Sequence, residues 1–562
     1  MCLVKINGFF PQFLLSKSVL LPLGLFFLFA CGAKIQHVPQ WTTYDLSLES
    51  TKSYSNPYIE VEVAAVFTNE VGEQLRRPGF WDGGKQWKIR FTPPDNGSIW
   101  TWETACSDRE NTGLHLQKGS LQSVAYEGEN HLLRHGLLRM SPGKRNVIHH
   151  DGHPFLLVGD TPWALPFRAT KEQVEHYATD RQQKGFNAAL LMSVQPDMEA
   201  EGPAARNTPQ GFMRGFEDLH EGHINQLTPS YFQYLDSLVA ILIAHEIVPV
   251  FQPVFHGYGW KGKKVLGNHV EPGEYVRYCK YLLARYGSQP AMWLIAGDNG
   301  GRDPGVKESG EMLEEWDSYE QPTGLHYNPC DDYVARWAVD NPIKHCEHFN
   351  KTYQAEEWLD FQWAQTGHSN EHEYTNVQRM YDHLPTKASA NGEPTYEGMN
   401  EGQHGVGWWQ GEEAWMQFMS GGTMGVVYGA ATLWQWKVSP DEEGWPGWTD
   451  QPTSWDQAMK MQGSTYVGYV SKALAGLDLT DIEKRPDLTG GAYPLLTKNA
   501  QIYLSYLNDG GDLAIAGLAE GLPYRWFDPV AGTFVEEAET QQNQIFHAPT
   551  NNPWVLIIGE KE

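Results

Sequence analysis

The feature that most constrains the fold is a series of eight short apolar segments spread between residues 155 and 436. Phe155–Gly159, Asn187–Val194, Val248–Phe255, Met292–Ala296, Gly324–Tyr327, Trp358–Trp363, Ala388–Ala390 and Val426–Trp436 read as strands. Helical patterns separate the early ones. Lys171–Lys184 follows Thr170 as N-cap, Pro229–His245 carries Pro in its first turn, and Gly273–Tyr286 completes the set. Near-continuous apolar strands need cover on both faces, and strand–helix alternation supplies it around a parallel sheet. Eight such units predict a (β/α)₈ barrel over residues 140–480.

The flanks have a different texture. Residues 37–133 alternate with period two between turn signals such as Asp82-Gly83-Gly84 and Pro94-Asp95-Asn96-Gly97, which predicts a β-sandwich. Residues 482–562 return to short strands and predict a small antiparallel β-domain, with a hairpin at Asn508-Asp509-Gly510-Gly511. The expected fold class is therefore multidomain, with the barrel between two β-domains.

Residues just past the carboxyl ends of barrel strands line the mouth. Here those positions are Asp160 and Trp163, His256, Asp298, His326 with Asn328, Gln365 and His368, Glu393 with Tyr396 and Glu397, and Trp434. Acids, amides, imidazoles and indoles facing one cavity suit a polyhydroxylated ligand. Hydrolysis of a glycosidic bond needs two carboxylates across it. Asp298 and Glu393 are the best pair: one protonates the leaving oxygen, and the other attacks or activates water. Glu397 stays open as the alternative to Glu393. Asp160, Trp163, His256, His326, Gln365, His368, Tyr396, Glu397 and Trp434 are the expected substrate contacts.

Composition sharpens this reading. The chain holds 22 Trp, 26 Tyr and 23 Phe, and sugar C–H patches stack on aromatic faces. A formal charge of −27 argues against nucleic acid as a partner, because phosphate binding needs clustered Lys and Arg. No cofactor and no metal site is expected. Lys344-His345-Cys346-Glu347-His348 lacks paired ligand spacing elsewhere, and Cys330–Cys346 is the nearest pair for a disulfide. At the amino end, Lys5 and Lys17 accompany the apolar run Val19–Ala30, which is short for a membrane-spanning helix and fits a signal segment over residues 1–30. Its end, Leu28-Phe29-Ala30-Cys31-Gly32, resembles the bacterial lipobox, so Cys31 is the expected lipidation site. A protein anchored to a bacterial membrane, the outer one, at its periplasmic side or the cell surface, would follow.

Residues 140 to 480 resemble the apiosidase-like glycoside hydrolases, relatives of the clan A barrels. Gly159-Asp160-Thr161-Pro162-Trp163, Trp293 to Asp298, Trp358 to Gln362 with Gln365-Thr366-Gly367-His368, and Glu393-Pro394-Thr395-Tyr396-Glu397-Gly398 carry the match. Residues 40 to 125 resemble the β-sandwich that often precedes such barrels, through Asn56-Pro57-Tyr58 and Gly79-Phe80-Trp81-Asp82-Gly83. The resemblance implies a glycosidase acting with retention on a plant or algal polysaccharide or its oligosaccharides, with Asp298 as acid/base and Glu393 as nucleophile. Two departures stand out. Gly297-Asp298 replaces the Asn-Glu of most clan A enzymes, and Val427-Tyr428-Gly429-Ala430-Ala431 replaces a His-containing word, so apiose specificity does not carry over. The competing expectations are a sugar-binding lipoprotein without catalysis and a polysaccharide lyase using Tyr396, His256 and Arg302.

Overall fold

The computed structural model describes residues 35–200, 205–209, 211–257, 264–299, 301–327, 352–365, 367–368, 370–443 and 450–560. Cys31, Asn328, the Cys330–Cys346 pair and the Lys344–His348 word lie outside these residues.

Eight strands form one parallel sheet: β1 (Leu157–Asp160), β2 (Ala188–Met192), β3 (Val248–Gln252), β4 (Met292–Asn299), β5 (Thr323–Tyr327), β6 (Phe361–Gln365), β7 (Ala388–Glu393) and β8 (Gly425–Tyr428). Their order is β7-β6-β5-β4-β3-β2-β1-β8, with every neighbour parallel. The ends of the sheet meet where the Met424 amide donates to the Ser389 carbonyl at 3.2 Å. Beyond them Glu397 pairs with Ala430. The strands are buried from end to end in β2, β3, β5, β6 and β7, which is why they read as apolar runs.

All eight expected strands are present, with shifted ends. Phe155 belongs to a small antiparallel sheet, where Pro154–Phe155 pairs with Val147–Ile148, and the barrel begins only at Leu157. Segment Val426–Trp436 is strand only to Tyr428; residues after it turn across the mouth. Helix Lys171–Gln183 opens on a capping box between Thr170 and Gln173. Helices Pro229–Ala244 and Pro272–Tyr286 start on Pro, which needs no amide donor there.

The amino-terminal unit is the expected sandwich. Strand Gln74–Gly83 is long enough to serve both of its sheets: its first half pairs with Val63–Thr68 and its second with Gln86–Phe91. Phe67 stacks on Phe91 at 4.0 Å in the core between them. The carboxyl-terminal unit is an antiparallel sheet built from Glu483–Lys484, Leu495–Lys498, Ile502–Leu507, Pro523–Asp528, Thr533–Glu539 and Trp554–Ile558. The hairpin expected at Asn508–Gly511 does not form. Strand Asp512–Ala514 leaves that turn to pair with Ile545–His547 instead, so the turn passes the chain to a second sheet.

Candidate active site

Glu393 ends β7, and its carboxylate is the centre of a polar cluster in the barrel mouth. His326 at the end of β5 brings Nε2 within 3.2 Å of Glu393 Oε2. His368, three residues past β6, brings Nε2 within 3.3 Å of Oε1. The Tyr396 amide donates to His368 Nδ1 at 3.3 Å, which leaves the proton of a neutral ring on Nε2, facing Glu393. The Tyr396 hydroxyl also serves Glu393. It accepts from Trp163 Nε1 at 2.7 Å, and the Trp163 ring lies parallel to His326.

These contacts set the protonation state. Burial raises the Glu393 carboxyl, but the His368 hydrogen bond, the two imidazoles and the Tyr396 hydroxyl outweigh it and hold Glu393 below the ordinary range. Burial lowers His326, and the Glu393 carboxylate beside it acts in the opposite direction. Glu393 is thus an ionised carboxylate with little water around it, 7% exposed.

Asp298 sits at the end of β4, three strands from β7 in the sheet order. Pairing of β4 with β5 slips between Leu294 and Ala296 and again between Ala296 and Asn299. Within the second slip Asp298 adopts φ +59°, a left-handed conformation uncommon for Asp. Such a bulge re-aims a side chain. The carboxylate comes to rest against Gly257, where a Cβ would stand 1.8 Å from Asp298 Oδ2. The shorter acid at this position is accompanied by a distorted strand end.

Several other mouth groups have buried polar atoms unmatched among the described residues: both ring nitrogens of His256, Oε1 of Gln365 and Nε1 of the half-buried Trp434. Burial lowers His256 and keeps it neutral. Unmatched buried donors and acceptors are rare in interiors and mark where a ligand or water belongs.

Two expected contacts are placed elsewhere. Asp160 is fully buried and turned to the helix layer: Oδ2 accepts from Arg181 Nε at 2.6 Å and from the Tyr177 hydroxyl at 3.0 Å, while Oδ1 caps the Thr161 amide. It braces helix Lys171–Gln183 against β1. Glu397 accepts from the Tyr428 hydroxyl at 2.6 Å and from the amides of Gly407 and Gly463. Both its oxygens are occupied, and burial raises its carboxyl. It ties the β7 loop to β8 and to helix Gly463–Leu474. Asp160 and Glu397 thus spend their carboxylates on partners within the protein. One residue the strand-end reading passed over is Gln252, the last residue of β3. Its signal is a polar side chain closing an otherwise apolar strand, Val248-Pro249-Val250-Phe251-Gln252.

The apiosidase-like catalytic domain model matches residues 141–481, more than half of the chain. The chain belongs to this family. A domain of unknown function, DUF5060, matches residues 37–107, within the sandwich that precedes the apiosidase-like barrel. Among solved structures, a protein of Bacteroides vulgatus ATCC 8482 described as a glycoside hydrolase aligns with TM-score 0.68 at 17% identity, over 93% of this chain and 100% of that one. A glycoside hydrolase family 5 protein of the same organism aligns with TM-score 0.57 at 18% identity, over 76% and 93%. A third structure, a glycoside hydrolase, gives 0.56 at 17%, over 76% and 97%. At these identities the likenesses speak for the fold. No curated protein matches in sequence. The family makes this apiosidase-like protein a glycosidase with a carbohydrate substrate, over the binding-protein and lyase alternatives.

Proposed function

We propose that the protein hydrolyses glycosidic bonds of a polysaccharide, or of its oligosaccharides, by a retaining double displacement. Glu393 attacks the anomeric carbon while Asp298 protonates the departing oxygen, and the glycosidic C–O bond breaks. Asp298 then takes a proton from water, the water oxygen bonds the anomeric carbon, and Glu393 leaves. The observation that carries this reading is the cage around Glu393: two imidazoles and a phenol hold it ionised where little water reaches it, as a carboxylate nucleophile requires. His256, Gln365 and Trp434 would contact the sugar, and Trp163, His326, His368 and Tyr396 would hold the nucleophile.

Retention needs carboxyl groups about 5–5.5 Å apart, inversion about 6.5–9.5 Å. The bulge at Asp298 supports retention, because it offers a way to bring the shorter side chain inward. Proton NMR of the first-formed anomer tests this: an inverted initial product would sink the double displacement. Glu393→Ala and Asp298→Ala should each lower turnover by roughly 10²–10⁴-fold or more. An activated aryl glycoside should restore much of the first step in Asp298→Ala, since it needs little acid help.

For the amino terminus the lipobox-like word supports lipidation at Cys31 and anchoring to the outer membrane. Cys31→Ala should release the protein into the soluble fraction or block its processing. Unchanged membrane fractionation would overturn the anchor.

A further inference from the structure

Gln252 has no part in the chemistry above. Its neighbour Phe251 stacks on Tyr286 of helix Pro272–Tyr286 with ring centres 4.7 Å apart. Alternation along the strand therefore turns Gln252 into the barrel. There it is fully buried, and among the described residues neither its amide nitrogen nor its oxygen has a partner. A Cβ on Gly297 would stand 1.7 Å from Gln252 Nε2, so the amide lies directly against the residue preceding Asp298. His256, four residues on, is also buried with both ring nitrogens unmatched, and its amide donates to the Gly297 carbonyl at 3.3 Å. An unpaired buried amide is destabilising, and a methionine would fill the same space without that cost.

We infer that Gln252 is a substrate-reading residue on the floor of the site, taking two neighbouring ring hydroxyls of the sugar bound against Asp298. This rests on Asp298 as the acid/base. The amide presents an acceptor oxygen and a donor nitrogen side by side in one plane. One hydroxyl of a vicinal pair donates to the oxygen, and the other accepts from the nitrogen. The substrate class is thus a glycoside whose ring carries a free vicinal diol. Gly297 is part of the device, since any side chain there would displace the amide.

The test uses the full chain and the glycan of a plant and algal polysaccharide panel that releases reducing sugar fastest. Gln252→Met keeps the volume and removes both polar atoms. Its kcat/KM should fall by about 100-fold or more, because a site built to bond a hydroxyl discriminates strongly against losing that bond. Its melting temperature should stay level or rise. Monodeoxy 4-nitrophenyl glycosides of the same sugar should lose as much on the wild type, and lose little further on Gln252→Met, since both changes remove one interaction. Gln252→Glu, of the same size but without the donor, should be slow as well. A Gln252→Met enzyme within about threefold of wild-type kcat/KM would overturn the inference and leave the amide bonded to buried water. So would a lowered melting temperature with no coupling to the deoxy sugars, which marks a structural role. Glu393→Ala measured in parallel keeps the two ideas apart: activity surviving there sinks the catalytic pair, whatever Gln252→Met does.

Discussion

At the scale of single residues, the state of Glu393 depends on hydrogen bonds from His368 and Tyr396 and on the charge of the imidazoles beside it. Removing one should be visible in a pH profile. The Tyr396 hydroxyl and His368 both lower the Glu393 carboxyl. Tyr396→Phe and His368→Ala should therefore move the acid limb of kcat/KM to higher pH, as the carboxylate becomes easier to protonate. An unmoved limb would mean that these groups do not set its charge. Glu397 makes the opposite case. Its oxygens already serve Tyr428, Gly407 and Gly463. Glu397→Gln should cost stability, about 1–3 kcal/mol by denaturant titration, because one carboxylate acceptor becomes a donor facing amides. Turnover should survive. Abolished turnover in a protein of unchanged stability would move the nucleophile to Glu397.

At the scale of elements, the end of β4 is the place where regular structure gives way to function. A left-handed Asp and two register slips cost free energy, and such strain collects at active sites. The surroundings hold it in place: Gly257 leaves room for the Asp298 carboxylate and Gly297 leaves room for Gln252. Gly257→Ala should push the carboxylate away from its resting place. A shift near 1 Å costs about 10²-fold in rate, so turnover should fall by that order while far-UV circular dichroism stays unchanged. Wild-type turnover in Gly257→Ala would show that Asp298 reaches the bond from elsewhere.

At the scale of the whole molecule, the sandwich is clamped to the barrel by charge. Asp236 on helix Pro229–Ala244 accepts from Arg90 of the sandwich and from Arg285 of helix Pro272–Tyr286, at 2.7–2.8 Å for the closest pairs. Arg285 also reaches Asp82 at 3.0 Å. Burial raises the Asp236 carboxyl, but the two guanidiniums lower it more. Its folded value thus lies below the unfolded one, so its contribution is complete above about pH 4 and fades as pH falls through the folded value. Asp236→Ala leaves two guanidiniums without their shared partner, and about 3–5 kcal/mol should be lost. Calorimetry should show the sandwich melting apart from the barrel; a single unshifted transition would refute the clamp. His149, beside the junction, adds a second acid sensitivity. Burial lowers it from 6.5 to about 4. The unfolded chain then binds more protons across that window, and stability drops as pH falls from 6.5 towards 4. His149→Asn keeps a donor for the Gly136 carbonyl and should flatten that part of the melting curve against pH.

The barrel was legible before any coordinates because its pattern is local. Strands buried on both faces must be apolar throughout, and helices such as Lys171–Gln183 announce their starts through side chains a few residues apart. The same locality places Asp298, His326, His368 and Glu393 at strand ends. What each side chain does there is decided by distant partners. Asp160 turns away from the mouth because Arg181 and Tyr177 wait on the helix behind it. Glu397 is consumed by Gly463, 66 residues on, and Trp163 finds Tyr396 across 233 residues. The turn at Asn508–Gly511 has hairpin residues, yet the strand after it meets Ile545–His547 in another sheet. A one-residue slip in phase exchanges the inside and outside of a strand, and the bulge that re-aims Asp298 is such a slip. Propensity along the chain determines which elements form. Which face of each element sees the cavity, and which polar groups remain unmatched within it, depends on packing between segments that the chain keeps far apart.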